Sequence, residues 1–100
     1  MIQRVVLIRL RPEHRTATDR RQIAAHAREV LGAIPLLSQL TVAPAADART
    51  GGQWDLVVLA CLADLEAAEA YRVDRTHRAF ADVYLKPLAE RVRVFHFAVD

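Results

Sequence analysis

One hundred residues, with 53% hydrophobic and 26% charged side chains, fit one folded domain spanning 1–100 and leave no room for extended disorder. The formal charge is only +2, and the basic residues (Arg4, Arg20, Arg49, Arg72 and Arg91 among them) are scattered along the chain. With 6% aromatics and no helix-turn-helix or RNA-binding signature, nucleic acid is excluded as an expected partner.

Ile2 to Leu10 reads as a strand, because Val5, Val6, Leu7 and Ile8 form a continuous β-prone run, and Pro12 closes it. A helix is expected from Thr16 or Thr18, either of which can cap it, to about Leu31. Ile23, Ala27, Val30 and Leu31 fall on one apolar stripe, Arg20, Arg21, Arg28 and Glu29 are expected to stay wet, and Gly32 is the expected stop. A weaker strand follows at Leu37 to Ala43. Pro44 to Gln53 reads as a loop, and Trp54 to Leu62 as the strongest strand of the chain. Asp64 caps a helix reaching about Tyr71, and Asp74 or Thr76 caps another that must end near Pro87. The last strand is expected over Val92 to Val99.

The order β-α-β-β-α-α-β is that of a ferredoxin-like α+β sandwich, βαββαβ, with its second helix broken in two. Helices cover one face of such a sheet and leave the other bare. Here the strands are apolar on both faces: Val6, Ile8 and Leu10 against Val5 and Leu7 in the first, and Trp54, Leu56, Val58 and Leu62 against Val57, Leu59 and Cys61 in the third. A bare apolar face calls for a cover, since burial yields about 25 cal/mol per Å². A second copy, sheet against sheet in a dimeric α/β barrel, is the expected partner.

Cys61 is the only cysteine, so no intrachain disulfide is possible and a reducing, cytoplasmic setting is expected. The N-terminal MIQRVVLIRLRP breaks its apolar residues with arginines, unlike a signal peptide, and no apolar run approaches the roughly 20 residues of a membrane span.

The chemistry concentrates between Tyr71 and Pro87. A bend at Asp74 would turn Tyr71 and His77 toward the sheet, with His77 near a helix N-terminus that disfavours imidazolium. One reading makes His77 a proton acceptor and Tyr71 a hydrogen-bond donor to a carbonyl or enolate. The other makes Tyr71 a core filler and His77 a cap or packing residue. Val6, Val58 and Phe80 would line any cleft between sheet and helices. His14 and His26 read as surface or rim. Asp55 is a strand-end charge in one reading and a second pocket acid in the other. No glycine-rich phosphate loop and no framed Ser or Cys nucleophile exists, and no cofactor is implied.

VVLIRLRPE at Val5 to Glu13, WDLVVLACLADLEAAEAY at Trp54 to Tyr71, THRAF at Thr76 to Phe80, LKPL at Leu85 to Leu88 and VFHF at Val94 to Phe97 resemble, in order and spacing, the stress-responsive dimeric α/β-barrel (Dabb) family. The resemblance runs from Ile2 to Val99 and implies a ferredoxin-like fold that dimerises through its sheets. It also implies two functional possibilities. One is a small apolar or carbonyl-containing ligand held between sheet and helices, or no ligand at all, in a stress-linked dimer. The other is an enzyme similar to polyketide cyclases, in which a tyrosine and a histidine six residues later do the work; Tyr71 and His77 occupy those positions. Relatives often carry a histidine where this chain has Arg4, and usually an aspartate where it has His96. Arg4 is expected to be a solvated strand-start charge or a binder of carboxylate or phosphate. His96 is expected to satisfy the core or to hydrogen-bond His77. Two histidines without a carboxylate or thiolate make a poor metal site, so none is expected. Monooxygenase-like and muconolactone-isomerase-like groups share the fold.

Overall fold

The computed structural model describes all residues from Met1 to Asp100. Alternating side chains in β1 (Ile2–Leu10) send Ile2, Arg4, Ile8 and Leu10 inward, and the same period buries Leu56, Val58, Ala60 and Leu62 of β3 (Leu56–Leu62). With β2 (Gln39–Pro44) and β4 (Ala89–Ala98) these strands form one antiparallel sheet in the order β2-β3-β1-β4. The ferredoxin-like α+β arrangement is thus realised, with the two middle strands non-consecutive in sequence and β4 at an edge.

Helix α1 (Ala17–Gly32) begins at Thr16, whose hydroxyl accepts from the Asp19 N–H, and lays Ile23, Ala24, Ala27 and Leu31 on the sheet. Gly32 is its last residue, and the helix stops through Ala33 in ordinary right-handed geometry without a left-handed glycine. Asp64 caps α3 (Leu65–Val73) through Ala67 N–H, and Asp74 caps α4 (Arg75–Ala79) through His77 N–H. The chain then widens into a π-helical turn, Phe80–Leu85, where Lys86 N–H reaches back five residues to the Ala81 carbonyl. The core closes on Ile8, Leu10, Leu31, Leu62, Tyr71 and Phe80, each 5% exposed or less. No helix is long and apolar enough to cross a membrane.

Several bounds shift. The stretch read as loop contains one helical turn, α2 (Ala48–Gly51), capped by Asp47. β2 begins at Gln39, two residues late, and β3 begins at Leu56, because Asp55 and Trp54 turn to other partners. Asp55 is neither a wet strand-end charge nor a pocket acid. Fully buried, it accepts from Leu10 N–H at 2.7 Å and from Arg20 at 2.6 and 2.9 Å, with Arg9 at 3.5 Å. It therefore ties the end of β1 to α1, and Arg20 is drawn out of the solvent role expected of it. Trp54 carries the Arg91 guanidinium 4.6 Å above its ring. β4 starts at Ala89, three residues earlier than its β-prone run, and its register shifts after this first residue, between the pairs with Leu10 and Arg9.

The sheet's outer face is uncovered. Val5 and Leu7 of β1 lie in register with Leu59 and Val57 of β3, and Phe95 of β4, opposite Val5, is 46% exposed.

Candidate functional site

Asp74 organises the site. Its N–H donates to the Tyr71 carbonyl at the end of α3, while its carboxylate accepts from His77 N–H at the start of α4. One residue thus ends the first helix, starts the second, and fixes the turn that brings the Tyr71 and His77 rings together, centroids 4.4 Å apart and tilted by 41°.

His77 is held by Nδ1, 3.2 Å from the Arg72 carbonyl. A carbonyl only accepts, so Nδ1 carries the proton and Nε2 is left with a free lone pair. Burial, aided by the nearby Arg4 charge, pushes the imidazole pKa below its usual 6.5, although the Arg72 carbonyl, Asp74 and Asp82 pull the other way. The ring is neutral at pH 7. Tyr71 is 1% exposed. Burial raises its pKa to about 12, the Arg4 charge opposing, so it is a phenol that donates throughout the physiological range.

Arg4 is not a solvated strand-start charge. Only 6% exposed, it lies in β1 with its guanidinium 5.4 Å from the Tyr71 ring centroid. Its Nη1 donates to His96 Nε2 at 3.1 Å, and Arg4 and His96 are direct cross-strand partners. His96 accordingly corrects two expectations. It is exposed at the sheet edge and does not satisfy the core, and its bond goes to Arg4, not to His77. The two histidines do not converge on a common point.

Between sheet and helices lies a cavity of about 120 Å³. Arg4, Val6, Val58, His77 and Phe80 line it, as do Ile8, Leu31, Ala81, Leu85, Val92 and Val94. Tyr71 supports His77 from behind, and His96 supports Arg4 from the strand beyond. Arg4 and His77 are the two polar members of an otherwise apolar lining. A larger groove of about 230 Å³ beside Leu7, Pro44, Trp54 and Val57 holds no titratable side chain.

Sequence reasoning missed Val92, Val94 and Ile8. The period-two alternation that puts Arg4 and Val6 on the inner face places their cross-strand partners there too. His26, read as surface or rim, is half-buried, its ring 4.1 Å from Tyr84 and 6.2 Å from Phe80.

Solved structures of the same shape span the whole chain. A Dabb family protein with a ferredoxin-like fold from Mesorhizobium loti superimposes with a TM-score of 0.80 at 17% identity, covering 98% of this chain and 95% of that one. A dimeric ferredoxin-like protein from Thermobifida fusca gives 0.78 at 23% identity, covering 98% and 90%. A hydroxynitrile lyase from Passiflora edulis gives 0.78 at 11% identity, covering 99% and 93%. No curated protein matches the chain significantly. The sequence profile described as the stress responsive A/B barrel domain matches residues 2–99, and the chain belongs to that family, Dabb.

Proposed function

We propose that this protein is a homodimer, joined through its bare sheet faces, in which each subunit holds a small, largely apolar, carbonyl-containing molecule in the cavity under His77. The observation that carries this reading is the cavity itself, an apolar space with two polar groups on its wall, Arg4 and a neutral His77. The dimeric description of the Thermobifida fusca protein supports the assembly, and the free Cys61 fits a cytoplasmic setting. Filling the cavity tests the binding. Small ketones and 1,3-dicarbonyl compounds titrated into isotope-labelled protein should shift the amide signals of His77, Phe80 and Ala81, and Ala81→Leu should reduce their affinity tenfold or more. Unperturbed signals across the panel would remove the ligand from the proposal.

A second reading, catalysis, is favoured by the fixed tautomer of His77. With Nδ1–H committed to Arg72, Nε2 is available to take a proton from the carbon beside a carbonyl. The C–H electron pair then moves onto the carbonyl oxygen as an enolate, stabilised by the Arg4 charge on the same cavity wall, while Tyr71 packs against the His77 ring. Returning the proton elsewhere gives isomerisation, and attack of the enolate on a second carbonyl gives cyclisation. The Passiflora edulis relative is a lyase by name, which is consistent with this fold supporting such chemistry. The same reading requires no metal or organic cofactor.

A further inference from the structure

The least satisfied group in the molecule is the Arg4 guanidinium. At 6% exposure it makes one hydrogen bond, to a neutral acceptor, and takes part in no ion pair. No acid forms an ion pair with it: Asp55 pairs with Arg20 and Arg9, Glu69 with Arg72 and Asp82 with Arg78, while the Asp74 carboxylate caps α4. Its Nε–H is buried without any partner, the one buried side-chain nitrogen or oxygen in that condition. Burial lowers its pKa, with Tyr71 opposing the fall and the Arg72 charge adding a smaller push in the same direction as burial.

A cation removed from water without an anion costs several kcal/mol. Neutral residues at this place would avoid that cost, so the charge points to a partner absent from the chain. The geometry narrows what that partner is. With Nη1 committed to His96, the free edge of the guanidinium is Nε and Nη2, two parallel donors that match the two oxygens of a carboxylate. A phosphate dianion would call for further donors, and the rest of the lining offers none, since the one N–H of His77 is committed to the Arg72 carbonyl.

We propose that the cavity's ligand is a small monocarboxylate. Its anionic head pairs with the Nε–Nη2 edge of Arg4 after a slight turn of the guanidinium, and its apolar body lies between Val58, Phe80 and Val94. This rests on the ligand-binding reading above and names the chemical class. His96 is a positioning residue here, holding the guanidinium through Nη1.

Matched probes separate the two propositions. Benzoate, benzamide and phenyl phosphate differ in the head group and share the ring, and each is titrated at pH 7.5 while the His77 and Phe80 amide signals are followed. Benzoate should bind at least tenfold more tightly than benzamide. Arg4→Gln should abolish that preference, and Arg4→Lys should retain part of it. Equal affinities for benzoate and benzamide would overturn the carboxylate while leaving the pocket standing. Tighter binding of phenyl phosphate would overturn it in favour of a phosphate, and silence from all three would overturn the carboxylate and the pocket together. The wild-type comparison needs no variant, so poor folding of Arg4→Gln does not blunt the test.

Discussion

His77 takes its character from a backbone carbonyl and from its burial, and both have consequences that pH reveals. Its pKa is lowered on folding, so below about pH 6.5 the unfolded chain binds a proton that the folded chain refuses. The unfolded state then holds more protons, and stability falls as the pH falls through that window; above it the contribution is complete. Tyr71 acts at the other end, since a phenol raised to about 12 keeps its proton when the unfolded chain releases it, and stability falls as pH rises beyond about 10. Denaturant unfolding between pH 7.5 and 5 should therefore show a shallower acid loss for His77→Gln than for the wild type. The difference is bounded by one proton, about 1.4 kcal/mol per pH unit. Parallel curves would show that His77 titrates as it does in water. The pairing of Tyr71 with His77 was legible in the sequence because helical spacing and one aspartate constrain it. The burial of Arg4 was not. A charged residue at the start of a strand ordinarily faces water, and its partners, Tyr71 and His96, come from 67 and 92 positions away. The Arg72 carbonyl leaves no sequence mark, since every residue has one.

Elements meet in this fold through buried aspartates and caps more than through loops. Asp74 contributes about 1 kcal/mol as a cap and sets the angle between α3 and α4, and hence the Tyr71–His77 contact. Asp55 carries more. It has no exposed surface, and three separate segments depend on it: the end of β1 through Leu10 N–H, α1 through Arg20, and the turn at Gly51, whose carbonyl accepts from Arg9 at 2.8 Å. Asp55→Ala would leave two arginines, 13% and 21% exposed, facing each other without their anion. A loss of about 3–5 kcal/mol is expected in chemical denaturation, far above the change of a surface substitution. A loss below about 1 kcal/mol would mean that the arginines find water easily. The strand and helix centres were readable from periodicity and caps. The ends that moved are those where a tertiary contact overrides local preference. Ala89 and Arg91 are poor strand formers and join β4 because β1 offers Leu10 and Arg9 as pairing partners, with Glu90 bulged between them. The π-helical turn at Phe80–Leu85 likewise has no periodic signature, and it is the segment that carries Phe80 and Ala81 to the cavity wall.

On the scale of the whole molecule, the sheet's outer face is the largest unresolved surface. Val5, Leu7, Val57 and Leu59 are only half-buried, Leu7 and Val57 bordering the groove beside Pro44 and Trp54, and β4 adds Phe95 and Phe97, 46% and 56% exposed. A soluble monomer rarely leaves so continuous an apolar patch in water, and α1 and the helical segments after β3 pack on the other side. The face has polar borders as well. Gln3, Cys61 and Gln39 run in register across one end, with Cys61 Sγ 3.1 Å from the Gln3 side-chain oxygen, and Arg9 and Arg91 close the other. An apolar centre with a polar rim is the anatomy of a protein interface. Phe95 lies in that centre yet contributes little to the subunit's own core, so changing it should separate assembly from folding. Sedimentation equilibrium should find the wild type dimeric at micromolar concentration. Phe95→Asp would place a charge on each side of the two-fold contact and should weaken association by at least a hundredfold, about 2.7 kcal/mol, with circular dichroism unchanged. A wild-type monomer, or a Phe95→Asp dimer of undiminished affinity, would mean that the sheets do not meet. Because Val92 and Val94 reach the cavity from the same edge strand that carries Phe95, the variant also reports on the site. If its monomer binds probes as the dimer does, each cavity is complete within one chain.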